Sequence, residues 1–219
     1  MAPSQRTKII HSVFALIFAG ANLFAFNPVS AAIPVTAGNA AAVDGVQVAS
    51  SSIPAELLNF AQALSNGEKD QIAGIFAENT LADKVVQQPA GQPGFVSAAD
   101  GVVTQFGMAS QYGSIGMLAH NFAAGDKFFQ LKVGMTVHLV YGDGSVHAYL
   151  IKQVSRFQAI SPTSPTSDFR DLQTGEKISA AELFTRMYGG ANRLTLQTCI
   201  ASGDESSWGR LFIIAEPIS

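Results

Sequence analysis

Thr136-Val137-His138-Leu139-Val140-Tyr141-Gly142-Asp143-Gly144-Ser145-Val146-His147-Ala148-Tyr149-Leu150-Ile151 decides the class of this fold. Two runs rich in β-branched and aromatic residues flank a turn of glycine and aspartate, the residues that tolerate positive φ. That combination specifies a β-hairpin. Outward from it, the second run continues to Phe157, and runs of the same character recur at 85–86, 101–106, 114–119, 193–198 and 210–215, bounded by Gly, Pro, Asn and Asp. Several short strands at close spacing predict a mainly β domain, a barrel or a sandwich. Gly113 and Gly116 flank a strand start and do not link a strand to a helix, so they form no phosphate cradle.

Two regions depart from the β pattern. In 53–78 the apolar residues Leu57, Leu58, Ala61, Leu64, Ile72, Ile75 and Phe76 recur near a period of 3.6 within each half, with Pro54 suited to a first turn and Asn66-Gly67 marking a break. This predicts two short helices, a helical extension over 53–80 in front of a β-rich body at 81–219. Residues 161–192 form a long excursion with Pro162 and Pro165 and a helical piece at 179–187, where Ser179 caps and Glu182 sits three residues on. A connection of that length tends to carry function.

Ahead of the body, Arg6 and Lys8 precede an apolar stretch at 9–26 and then Asn27-Pro28-Val29-Ser30-Ala31-Ala32. This is the pattern of a signal peptide over 1–31, cleaved after Ala31, or, if retained, of an anchor in the cytoplasmic membrane. Either outcome places the body outside the cytoplasm. Residues 32–52, rich in Ala, Gly, Val and Ser with the single charge Asp44, read as a flexible linker. The formal net charge of -3 becomes more acidic still without Arg6 and Lys8, which excludes a phosphate-backbone footprint and hence nucleic acid as a partner. Exported proteins usually pair their cysteines, yet Cys199 is the one cysteine of the chain. From the count alone, a small buried hydrophobe or an intermolecular bridge explains it as well as a nucleophile does.

The surroundings of Cys199 favour the nucleophile. Arg193-Leu194-Thr195-Leu196-Gln197-Thr198-Cys199 sets the thiol at a strand end before a polar turn, and Arg210 opens the next β run eleven residues later. An antiparallel pair puts the guanidinium beside the sulfur, where it favours a thiolate and a developing oxyanion. Of four histidines, His11 lies in the leader, and His138 and His147 sit within alternating strands. His120 closes the run Ile115-Gly116-Met117-Leu118-Ala119 ahead of a turn. By position alone, a structural and a catalytic role for it weigh the same. The pair His138 and His147 makes a poor metal site without nearby cysteine or carboxylates, and Asp168, Asp171 and Glu176 read more simply as a solvated loop than as a calcium site. No metal and no cofactor is expected.

Thr195-Leu196-Gln197-Thr198-Cys199 resembles the T-L-x-T-C signature of the sortases, cysteine transpeptidases of bacterial cell surfaces. Arg210 falls where that family's arginine follows on the next strand, and Leu118-Ala119-His120 is similar to the strand end carrying its histidine. Over 85–217 the likeness includes Phe128-Phe129-Gln130-Leu131 and Lys132-Val133-Gly134-Met135 after the histidine strand. Ala119 stands where the family usually has glycine, and Met135 where aspartate is common. The resemblance implies a sortase-like closed β-barrel of about eight strands with short peripheral helices. It implies His120, Cys199 and Arg210 as catalytic residues. The substrate would be a sorting signal similar to L-P-x-T-G on surface proteins, and the acceptor an amine from a cell-wall peptide or a pilin lysine. Thr198 divides evenly between contacting substrate through its hydroxyl and serving as an ordinary strand residue. Trp208 and Tyr188 either line a peptide groove or pack.

Three other readings remain at this point. A thiol peptidase would use the same site and pass the acyl group to water. A surface-binding module would keep the barrel without the activity. An L,D-transpeptidase lacks support, because its serine-histidine-glycine-cysteine run is absent around Cys199.

Overall fold

The computed structural model describes residues 54–218. The leader, its cleavage or anchoring, the linker and His11 lie outside the described residues. In chain order the elements are α1 (Ala55–Leu64), β1 (Ile72–Ala77), β2 (Leu81–Gln87), β3 (Val102–Phe106), β4 (Ile115–Leu118), β5 (Thr136–Tyr141), β6 (Val146–Ala159), β7 (Phe169–Asp171), β8 (Lys177–Ile178), α2 (Ala180–Tyr188), β9 (Leu194–Ser202) and β10 (Glu205–Pro217). Short 3-10 helices follow β3 (Gly107–Tyr112) and β4 (Ala124–Gln130). No helix among the described residues is long and apolar enough to cross a membrane.

The strands run in the order β10-β9-β4-β3-β2-β1-β5-β6, and pairing of β6 with β10 closes them into an eight-stranded barrel, as expected from the sequence. β7 and β8 extend the sheet outward from β6. Most neighbours are antiparallel; β2 with β3 and β4 with β9 are parallel. The expected hairpin joins β5 to β6, with Gly144 at φ 85° in its turn.

Alternation along the strands sorts side chains to two faces. Leu194, Leu196, Leu211 and Ile213 point inward with Val103, Met117, Leu139 and Ile151, and fill the barrel. Leu118, Phe157, Phe212 and Ile214 point outward, where Leu183, Phe184, Met187 and Tyr188 of α2 cover them together with Phe169 and Ile178. The excursion between β6 and β9 is thus packed on the outer wall. α2 starts as its sequence specifies: the Glu182 N–H donates to Ser179 Oγ at 3.3 Å and the Ser179 N–H to Glu182 Oε2 at 3.1 Å, a capping box.

One expectation is corrected. The second helix read into 53–78 does not form: Ile72–Ala77 is barrel strand β1, so the helical extension reduces to α1 and the barrel begins before residue 81. Ile72, Ile75 and Ala77 face the interior, while Phe76 meets Leu57 and Ala61 of α1 on the outside. A strand buried on both faces shows no alternation, and Ile72, Ile75 and Phe76 then imitate a helical period. Gly74 lets the two elements approach, since a Cβ there would collide with Leu64 Cδ1 and the Phe60 ring.

Candidate active site

Cys199 on β9 lies directly across the antiparallel ladder from Arg210 on β10, and Arg210 lies in turn across from Phe157 on β6. Residues facing each other in a ladder project to the same side, so thiol and guanidinium share the outer face with Phe157 and Phe212. The third candidate comes from β4, which runs parallel to β9 with Leu118 beside Gln197. One step further, the Ala119 N–H donates to Gln197 O at 3.2 Å and Thr198 Oγ1 donates to Ala119 O at 2.9 Å, fixing the main chain that leads into His120. The His120 ring bonds to the main chain of Val96, a residue packed on the outer cluster. The fold therefore brings His120, Cys199 and Arg210 to one end of the outer face of β4, β9 and β10.

Arg210 is 1% exposed. Its Nη1 donates to the carbonyls of Ser207 at 2.9 Å and Gly209 at 2.8 Å, and its Cζ lies 6.0 Å from the centre of the Phe169 ring. Nε and Nη2 are buried with no hydrogen-bond partner among the described residues. A buried cation with two of its three nitrogens unpartnered is costly to stability. Its position beside a thiol gives those donors a use, since they can receive negative charge that develops at Cys199 or on an attached carbonyl.

Burial sets the resting protonation of the site. Cys199 is 4% exposed, and burial pushes its thiol up; the Arg210 charge and a hydrogen bond from the Ser207 side chain act the other way, and the Glu205 carboxylate adds to the rise. Burial holds the His120 imidazole below its ordinary value, opposed by the bond to the Val96 main chain. Both groups are consequently neutral at neutral pH in the free protein. The His120 ring stacks on Phe122, centroids 4.8 Å apart and planes 15° from parallel, and Phe122 leaves its other face exposed. Cys199 is nearly closed to solvent, so an acyl donor must displace neighbouring side chains to reach the sulfur.

Thr198 is corrected. Its side chain is 0% exposed, points away from Cys199 into the barrel, and spends its hydroxyl on Ala119 O. The Gly125 backbone lies against it so closely that a Cβ there would strike Thr198 Oγ1 and the carbonyls of His120 and Ala119. Thr198 is a support for the His120 segment and not a substrate contact. Tyr188 is likewise a packing residue, buried with its hydroxyl donating to Gln197 Oε1 at 2.7 Å. His138 pairs with Ala148 and His147 with Leu139, which sends the two imidazoles to opposite faces. Asp168 pairs with Lys177 at 2.9 Å, Glu176 with Arg186 at 3.2 Å, and Asp171 Oδ1 accepts from the Gln173 N–H at 2.7 Å. No cluster of metal-ligating side chains occurs among the described residues.

Sequence reasoning did not find Ser207, Val96 or Phe169. Val96 reaches the site through a loop whose course no local pattern encodes, and Phe169 through β7, a three-residue strand too short to show a pattern. Counting back from Arg210 misplaces Ser207, because the β9–β10 register shifts between Glu205 and Gly209.

No protein-family model matches the chain, and no curated protein matches it. Solved structures similar to it include sortase C1 from Streptococcus suis, at 12% identity over 75% of this chain and 79% of that one, with a TM-score of 0.46. A Clostridium perfringens sortase D5 transpeptidase is similar at 13% identity over 76% of this chain and 90% of that one, TM-score 0.44. Sortase A of Listeria monocytogenes is similar at 12% identity over 68% and 89%, TM-score 0.41. These likenesses concern shape; what the site can do follows from its own geometry.

Proposed function

We propose that this chain is a sortase-type cysteine transpeptidase, exported and working on the outer side of the cytoplasmic membrane. The observation that carries the reading is the ladder pair of Cys199 with Arg210, a thiol beside a buried guanidinium with two unpartnered donors. His120 on the adjoining parallel strand supplies the acid and base. The resemblance of Thr195-Leu196-Gln197-Thr198-Cys199 to the sortase signature supports the same assignment and suggests the substrate, a sorting signal similar to L-P-x-T-G.

The steps follow from the groups present. Displacement of the side chains around Cys199 admits an extended peptide, and the proton of the Cys199 thiol passes to His120. The thiolate attacks the threonine carbonyl carbon, and the oxygen that gains the electron pair accepts from Arg210 Nε and Nη2. Collapse breaks the carbon–nitrogen bond; imidazolium His120 gives its proton to the departing amine and leaves a thioester on Cys199. An incoming amine attacks that thioester, loses its proton to His120, and the thiolate departs as the new amide forms. Water in place of the amine gives hydrolysis by the same site.

The test is a peptide-library incubation of the full chain with and without an amine acceptor, read by mass. The expected result is a thioester adduct on Cys199 and a product joined to the amine. Hydrolysed product alone, even with abundant amine, would make the enzyme a thiol peptidase. Turnover surviving Cys199→Ala would end both readings.

A further inference from the structure

We infer that Phe122 is a positioning residue of this site: its ring lies flat against the His120 imidazole and stabilises the imidazolium that forms each time His120 takes a proton. The inference rests on the acid and base role proposed for His120 and names the group that acts through it.

The geometry begins in the turn after β4. The Ala123 and Gly125 N–H groups both donate to His120 O at 3.0 Å, and the Asp126 N–H donates to Ala123 O at 3.0 Å, so the chain folds back directly after His120. Asn121 Nδ2 donates at 3.1 Å to Ser206 O, in the bulge of β10 between Glu205 and Gly209. The turn is thereby tied to the strand that carries Arg210. Phe122 sits between these anchored residues, and its side chain is brought over the ring two positions before it. The centroids are 4.8 Å apart with the planes 15° from parallel, inside the roughly 6 Å at which the face of an aromatic ring attracts a cation. Phe122 is 61% exposed, so burial in a core does not account for its placement.

The charges around the turn show why a neutral aromatic face matters. Burial disfavours a charge on His120, and the Arg210 guanidinium, at the same end of the sheet, has the same sign as an imidazolium. The other ionisable groups on the surrounding elements are Cys199 on β9, Glu205 on β10, Asp100 ahead of β3, and Asp126 and Lys127 after the turn, with Lys127 paired to Asp83 of β2 at 2.6 Å. β3 and β4 themselves carry none. A carboxylate against the ring would stabilise the imidazolium and also repel a thiolate at Cys199. The face of Phe122 attracts the cation without net charge, so it favours the imidazolium and leaves the sulfur undisturbed. It acts in both half-reactions, first when His120 takes the thiol proton and again when it takes one from the incoming amine.

The first readout needs no peptide. The full chain is prepared with phenylalanine, or with mono-, di- or trifluorophenylalanine, at position 122; fluorine draws electron density from the ring face and barely changes the shape of the side chain. The His120 ring is titrated by NMR, its signal assigned among the four histidines with His120→Gln. The expected result is a midpoint that falls stepwise with fluorine number, by about half a pH unit in all, the scale of a cation–π contact at an exposed site. An unchanged or rising midpoint overturns the inference, even with peptide transfer intact, because a ring that only packs or shields does not respond to its own electron density. The second readout is turnover of a library peptide: kcat should fall about threefold across the series, the loss of imidazolium that half a unit implies, with KM within about twofold. A constant kcat beside a falling midpoint overturns the role in the reaction. A falling midpoint in a chain that takes no acyl group from any library peptide ends the transpeptidase reading and leaves the coupling of the two rings standing.

Discussion

The two faces of the β9–β10 ribbon differ in kind although they alternate residue by residue. The inner face presents Leu194, Leu196, Leu211 and Ile213, all buried in the barrel. The outer face presents Cys199 and Arg210 beside Phe212 and Ile214, with His120 at the end of the next strand. The inner face contributes stability, since each buried aliphatic side chain removes apolar surface from water. The outer face accepts a cost, a cation out of water with Nε and Nη2 unanswered among the described residues. Packing on both sides fixes the backbone between them, so the stable face holds the expensive one in position.

That division can be broken from either side. Arg210→Ala should lower kcat/KM about 100- to 1000-fold, the scale of a lost oxyanion donor. Its thermal melt should hold or rise, because the substitution removes a buried, unneutralised charge. A melt that collapses together with activity would make Arg210 a structural residue. Leu196→Ala should do the reverse, losing about 2–5 kcal/mol of stability to the cavity left inside the barrel, while kcat/KM per folded molecule stays within about two-fold of wild type. Denaturant titration alongside single-temperature kinetics separates the two effects.

Thr198→Val probes the boundary between the faces. It deletes the bond to Ala119 O while keeping the volume inside the barrel, so stability should fall by about 1 kcal/mol. Activity should fall several-fold through the His120 segment, with most of the change in kcat and little in KM. A change confined to KM would return Thr198 to the substrate site. The smallest effect concerns pH. Burial holds His120 below its ordinary 6.5 and Cys199 above its ordinary 9.0, so the reactive thiolate–imidazolium pair is a minor form at all pH values. Below the His120 value the imidazole already holds a proton and cannot take the one from the thiol, and above the Cys199 value the thiol has lost to solvent the proton that His120 must receive and donate. The profile of kcat/KM should be a plateau with its acid limb below pH 6.5 and its alkaline limb above 9.0. A narrower bell would show that substrate binding, and not burial, sets protonation.

The strands of the barrel were legible because most of them are runs rich in β-branched and aromatic residues bounded by turn residues. β1 was not, because α1 covers its outer side and erases the alternation on which reading a strand depends. His120 stood out by following the end of β4; Cys199 and Arg210, expected at strand ends, lie within the ribbon, because β9 runs on to Ser202 and β10 starts at Glu205. Thr198 was misjudged between its two roles because adjacency to Cys199 in sequence means the opposite face in a strand. Ser207 was hidden by the bulge, since the register of a ladder can be counted only as far as it is regular.

The seam strand has a consequence for the order in which the protein can complete its fold. β10 pairs with β9 on one side and β6 on the other, and it is the last strand of the described chain to be synthesised. Until it is in place, β6 and β9 are bare edges open to wrong partners, and the sulfur lacks its guanidinium. A copy truncated before β10 is thus unclosed and lacks the Cys199–Arg210 pair; the candidate site exists only once the barrel is complete.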